Sequence, residues 1–379
     1  MMMSDAASLY LHIPFCLSRC RYCDFASHAK LSEDLRRDYL DALKREIASL
    51  PKGELKTVYF GGGTPSLLSE SELSSIFDAI SSRFTLKPHA EVSLECNPAT
   101  ASAEKLSAFR SLGITRLSIG VQSLSDDELR VIGRAHTASD ALSTYRTARA
   151  CGFASVSLDL MYGLPGQSVA SFQKTLDEVM ALAPDHVSAY GLILEEGTPL
   201  YAERNSLAFP SEDDEYLMYQ LAFLKLRDAG YRHYEISNYA KDGHACIHNL
   251  AYWQRMPYHA VGLAASSFDG RVRRTHTRSL KEYLADPISS FEEISTLDEK
   301  DAAFEEIMLS LRLGQGLSLD GFSSRHGFSV TERYKEILDP WRKRGLLLES
   351  DRRLFLSDEG LYLSSALLSE ILAADEKSP

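Results

Sequence analysis

The sequence is poor in cysteine and tryptophan, with six and two in 379 residues. So few thiols exclude a disulfide scaffold and fit a reducing compartment. No stretch approaches the roughly 18 uncharged apolar residues of a membrane-spanning helix. The opening MMMSDAASLYLHIPFC has no basic start followed by a long apolar run, so no secretory signal is expected. Positive charge is in deficit: Lys+Arg is 41 against 53 Asp+Glu, a net charge of −12. That argues against a general nucleic-acid binder, because neutralising phosphates needs a basic surface. There is no internal repeat and no low-complexity segment beyond the polar tail. What remains is the balance of a soluble globular protein, 44% apolar and 25% charged, long enough for one large domain and a small one.

Short β-type runs alternate with helical stretches. SLYLHI (8–13), TVYF (57–60), EVSLE (91–95), RLSIG (116–120), SVSLDLM (155–161) and VSAYGLI (187–193) read as strands. Helices are expected over 33–50, 69–83, 102–112, within 125–151, and near 168–183. Six βα-like units imply a parallel sheet with covering helices, and the apolar strands suit burial on both faces. Six units fall short of the eight of a closed barrel. The expected fold is therefore α/β, a partial, open (β/α)6 TIM-type barrel, with chemistry at the C-terminal strand ends. Residues 1–200 would form this barrel and 201–297 its extension. Residues 298–379 would be a small, mostly helical, winged-helix-like domain with helices at 300–313, 318–325, 330–345 and 358–374 and a hairpin in GLLLESDRRLFLS.

Three of the cysteines fall within eight positions, Cys16, Cys20 and Cys23, in the loop after the first strand. Three thiolates in a short loop can hold three corners of an iron–sulfur cube, leaving the fourth iron for an external chelator. Zinc is the rival, with Asp24, His12 and His28 as nearby candidate ligands. Cys96, Cys151 and Cys246 are scattered and read as small buried hydrophobes, although Cys246 lies near His244 and His248.

YLHIPFCLSRCRYCDF, GGGTPS, the strand end at Glu95-Cys-Asn-Pro and IGVQS resemble the radical S-adenosylmethionine superfamily. RAHT (134–137), DLMYGLPGQ (159–167), YEISNYA (234–240) and HNLAYW (248–253) narrow the resemblance to the branch holding oxygen-independent coproporphyrinogen III oxidases (HemN) and haem chaperones (HemW). The resemblance spans nearly the whole chain. It implies a [4Fe–4S] cluster on Cys16, Cys20 and Cys23, an electron donor for it, and S-adenosylmethionine on the open iron, cleaved to a 5′-deoxyadenosyl radical. It implies that the backbone at Gly62, Gly63 and Thr64 meets the methionine amino group, where glycine permits close approach. Glu95 would accept the ribose hydroxyls. Tyr10, Tyr22, Gln122, Arg134 and Asp159 resemble further contacts to S-adenosylmethionine, some of which could serve a second molecule of it.

Within the branch, the oxidase pattern has a further cysteine two places after the third. Here that place is Phe25. The oxidase also carries a longer extension before the motif. HNLAYW resembles an HNxxYW motif associated with haem binding, which would put His248, Tyr252 and Trp253 at haem. By its residues alone, the segment reads as a core-packed aromatic helix with one hydrogen-bonded histidine, since His248 and Tyr252 are i, i+4 neighbours. In one departure, Ser266 stands near where the family often has histidine. The resemblance thus implies a cytoplasmic haem chaperone that carries haem as cargo to apo-haemoproteins such as respiratory enzymes. It leaves room for a homodimer and for peripheral association with the membrane. The rival expectation is a coproporphyrinogen III oxidase, and a weaker one a radical enzyme acting on another substrate.

Overall fold

The computed structural model describes residues 7–376. Its centre is a nine-stranded sheet. Six strands, β1 (Ser8–Ile13), β2 (Gly53–Gly62), β3 (Phe84–Cys96), β4 (Arg116–Gln122), β5 (Ser155–Tyr162) and β6 (His186–Gly191), lie side by side in chain order, each parallel to the next. β7 (Arg232–Glu235) and β8 (Asn238–Ala240) extend the sheet antiparallel beyond β6. β9 (His259–Val261) pairs parallel with β1 at the far edge. β9 and β7 end the order without meeting, so the sheet is open, as expected of a partial barrel.

A period of two runs through all six strands. Leu9, Leu11, Ile13, Val58, Phe60, Leu94, Leu117, Ile119, Val156, Leu158 and Val187 belong to one hydrophobic core with the covering helices. At the alternate places, Tyr10, Tyr59, Ser118, Asp159 and Ser188 face a cavity instead. Successive strand residues point to opposite faces. Both faces are therefore buried, but only one is apolar. This corrects the expectation of strands apolar on both sides, because the inner face is a polar wall.

The helices start where serine or threonine can cap them. Ser32 accepts from the Leu35 amide at the head of Glu33–Ser49, and Ser69 with Glu72 forms a reciprocal capping box before Glu70–Arg83. Thr137 and Asp140 do the same for Ala138–Ala150. That cap separates this helix from Asp126–Val131 and leaves Arg134 in the connection between them.

After β9 comes a three-stranded antiparallel sheet of Ser266–Phe268, Val272–His276 and Phe291–Thr296. Asp298 caps helix Glu299–Leu311, which opens a region with its own core around Phe322, Leu338, Trp341 and Leu354. A small sheet of Leu317–Ser318, Arg353–Leu356 and Leu347–Ser350 completes that region. The helices expected over 330–345 and 358–374 are each broken into two, at Tyr334 and at Leu363. Among the described residues no helix is long and apolar enough to cross a membrane.

Candidate functional site

A cavity of about 480 Å³ runs down the polar face of the sheet. At one end are the cysteine loop and the C-terminal strand ends. At the other are Arg116 and His186, the first residues of β4 and β6, and the helix Ile247–Trp253. It gathers Cys16, Cys20, Cys23, Tyr10, Tyr22, Gly62, Gly63, Thr64, Glu95, Gln122, Arg134, Asp159, His248 and Tyr252. Trp253, the remaining predicted site residue, is half-buried and does not line it.

The cysteine loop is held at its base and its flank. The His28 amide donates to Pro14 O at 2.7 Å, the Arg21 amide to Ile132 O at 3.0 Å, and Leu200 N to Arg21 O at 2.9 Å. Cys16 Sγ lies 3.6 Å from Thr64 Oγ1, and Arg134 Nη1 donates to Cys20 Sγ at 3.6 Å. Burial pushes the Cys16 and Cys23 thiols up, so the free loop holds them protonated and metal loading would release protons. Among the described residues no group of three His, Cys, Asp or Glu is placed to hold a single ion. Asp24, His12 and His28 thus do not complete a zinc site with these thiols. His12 Nε2 is bonded to Ala26 O at 2.7 Å, and Asp24 pairs with Arg278. Three half-exposed thiols on one wall, with no fourth protein donor gathered to them, fit a cluster with one open corner. The Arg134 Nε, buried and without a hydrogen-bond partner among the described residues, fits an anionic guest beside them.

Glycine is needed at the end of β2 for two different reasons. Gly62 has φ +108°, in the left-handed range. At Gly63 a Cβ would come within 2.8 Å of Phe15 O and 2.9 Å of Ile13 O, so only glycine lets β2 pass the base of the cysteine loop. Glu95 Oε1 accepts from the Tyr59 hydroxyl at 3.1 Å and Oε2 from the Gly62 amide at 3.0 Å. Burial lifts its carboxyl to about 7. Gln122 sits at a register shift with φ +67°, a strained position for a side-chain-bearing residue, and accepts from the Tyr190 hydroxyl at 3.0 Å. Asp159 is raised by burial, but three hydroxyls, of Ser118, Ser157 and Ser188, donate to it at 2.9–3.0 Å. Tyr10 bonds His12 Nδ1 at 3.2 Å, and Tyr22 packs against the Ile132, Met161 and Leu164 cluster.

His248 lies inside the barrel wall, 1% exposed. Its Nδ1 bonds Thr57 Oγ1 and its Nε2 the Tyr252 hydroxyl, both at 2.8 Å, while its ring stacks on Tyr59 at 5.1 Å. Burial holds its pKa down at about 3, so the imidazole is neutral. With both nitrogens engaged, it could ligate iron only after giving up a hydrogen bond. Ser266 bonds Thr275 at 3.0 Å and lines neither this cavity nor the second one described below.

Sequence reasoning missed Glu91, which anchors this end of the cavity. Its carboxylate accepts from the Ile247 and His248 amides at 3.2 and 3.0 Å and lies 4.0 Å from buried Arg116. Glu91→Ala would uncap a helix and leave Arg116 without its counter-charge, a loss of about 3 kcal/mol. A thermal midpoint several degrees below that of the unmodified chain is expected. An unchanged midpoint would show that the helix is held by other contacts.

Thiols at the strand ends above a polar inner wall are matched by the sequence model of the Radical SAM superfamily, which covers residues 10–179. The HemN C-terminal domain model covers residues 297–363. The chain is 35% identical over 380 residues to the Heme chaperone HemW of Bacillus subtilis, covering 96% of this chain and 99% of that one. It is 37% identical over 379 residues to the Heme chaperone HemW of Mycobacterium tuberculosis, covering 96% and 94%. The fold is that of the Escherichia coli coproporphyrinogen III oxidase HemN, with a TM-score of 0.84 at 23% identity over 100% of this chain and 91% of that one. These matches define a radical SAM protein with a HemN-like fold. Within that superfamily the chain belongs to the HemW family.

Proposed function

We propose that the chain is a haem chaperone acting in the cytoplasm, which binds haem and hands it to apo-haemoproteins such as respiratory enzymes. The observation that carries this reading is its end-to-end relationship, at 35% and 37% identity, to proteins named Heme chaperone HemW. Phe25, at the place where the oxidase pattern has a further cysteine, agrees with it and lines the cavity as a residue 64% exposed. Cys16, Cys20 and Cys23 would hold a [4Fe–4S] cluster, which supplies single electrons to S-adenosylmethionine bound at its open iron. Gly62, Gly63 and Thr64 offer backbone to the methionine end. Glu95 presents a carboxylate to the ribose, and Arg134 presents a guanidinium to the carboxylate. Gln122, Tyr10 and Tyr22 shape the remaining wall, and Asp159 orders the serines around it.

The test uses one preparation. The chain is reconstituted anaerobically, haem is titrated in, and coproporphyrinogen III is offered alongside. Haem binding at about micromolar affinity or tighter, with no decarboxylation, is expected. Rapid conversion of coproporphyrinogen would replace this reading with the oxidase.

A further inference from the structure

A second cavity, of about 450 Å³, lies between the end of the Ile247–Trp253 helix, the Ser266–Thr296 sheet and helix Glu299–Leu311. Its walls are mostly apolar: Tyr252, Tyr258, Phe268, Phe304, Met308 and Leu309. Tyr252 and Tyr258 meet edge to face at 4.5 Å. Two guanidiniums complete it. Arg255 is 15% and Arg273 34% exposed, and both lie over the Phe268 ring, at 6.0 and 5.1 Å. Glu305 answers Arg273 at 3.0 Å and Arg255 at only 3.6 Å, and the buried Arg255 Nε makes no hydrogen bond among the described residues. Arg255 also lies 3.9 Å from Glu306, a carboxylate already engaged by Arg325 and His326, so Glu305 is shared between Arg255 and the partly exposed Arg273, with Asp301 exposed beside them. Arg255 is also held at φ +54°, a conformation costly for a residue with a side chain.

Such a pocket suits a flat apolar ring that carries carboxylates. Aromatic and thioether groups pack on the faces of such a ring, and guanidiniums answer its acids. A cavity of this size falls in the usual range for small-molecule sites. It shares one wall with the cofactor cavity. Tyr252 lines both, its hydroxyl bonded to His248 on the cofactor side.

Resting on the haem-chaperone reading, we propose that haem docks in this second cavity. Its ring lies against Tyr252, Tyr258, Phe304 and Met308, and its propionates meet Arg255 and Arg273. His248 then acts as a positioning residue that fixes Tyr252, and the cofactor cavity stays free for its own ligand.

The full chain is titrated with haem and with haem dimethyl ester. Loss of charge-assisted contacts should weaken the ester by about tenfold. Arg273→Gln keeps a hydrogen-bonding side chain at a third-exposed position and should cut that penalty to about threefold, the share that Arg255 carries. Leu309→Trp fills the cavity and should weaken haem itself by about tenfold at an unchanged circular dichroism spectrum. If the unmodified chain binds neither form, the chaperone reading falls and this site with it. If it binds haem but the ester penalty is undiminished in Arg273→Gln, or folded Leu309→Trp binds as tightly as before, the site lies elsewhere and the chaperone reading stands.

Discussion

Alanine in place of Cys20 strips the reconstituted chain of iron and sulfide and leaves its fold standing. Cys20 is half-buried in an irregular loop, and its thiol accepts from Arg134, which keeps its bond to Gly120 O. The substitution removes nothing from the core, so the thermal midpoint should move by less than about 2 °C. The effect on metal is of another order. A three-thiolate cluster has no protein ligand to spare, and iron should fall from about four per chain to below about one. Iron and sulfide analysis after anaerobic reconstitution checks this. Cys151→Ala is the control, because Cys151 sits at a helix end bonded to Ser107 and outside the cavity. Full iron in Cys20→Ala would remove the cysteine loop from the proposed site.

Mild acid should destabilise the metal-free chain steeply. Burial lowers His12, His136, His233 and His259 to about 4 and His248 to about 3, and holds His186 well below its ordinary value. A depressed folded pKa gives stability that is fully present above the unfolded value of 6.5 and lost as pH falls toward the folded one. Glu95 and Glu235, raised to about 7, and Asp159, also raised, act in the opposite sense. Their contribution is largest below the ordinary carboxylate range and is lost as pH rises through their folded values. Between pH 6.5 and 4.5 the unfolded chain can take up six imidazole protons that the folded chain refuses, while the folded chain retains two, on Glu95 and Glu235, that the unfolded one gives up. The excess of about four protons, which Asp159 reduces further, corresponds to about 5 kcal/mol per pH unit at most. The thermal midpoint should therefore drop by roughly 10 °C between pH 7 and pH 5. A flat or rising midpoint over that interval would mean that the buried imidazoles are charged in the fold.

Much of this molecule was legible in its sequence, for local reasons. The strand beginning at Ser8 and the helices Glu33–Ser49 and Val169–Ala181 follow from local patterning and from Ser or Thr at their starts. The grouping of the thiols with Gly62, Gly63, Glu95 and Arg134 was legible because strand ends of a parallel sheet share one side. The polar wall was written in the same strands, as serine, aspartate or tyrosine at alternate places in VSLDL and VSAY, but a lone serine in an apolar run carries little weight until six strands are read together. What could not be read was long-range. The Thr57–His248 bond joins residues 191 positions apart, and the Glu91 anchor joins residues 156 apart. No local pattern announces that β9 returns to lie beside β1. Nor does HNLAYW reveal that Tyr252 would face two cavities while Trp253 lines neither.

The pinned base of the cysteine loop has a kinetic consequence. Pro14 and His28 are tied before any iron arrives, and Gly63 N bonds Ile13 O at 2.8 Å on the adjoining strand. The three sulfurs are thereby confined to a small volume, and their effective concentration toward one another is set by a tether of a dozen residues rather than by the whole chain. Were iron to be captured by one of these sulfurs, the other two would be near neighbours, and a long-lived, singly attached state would not be expected.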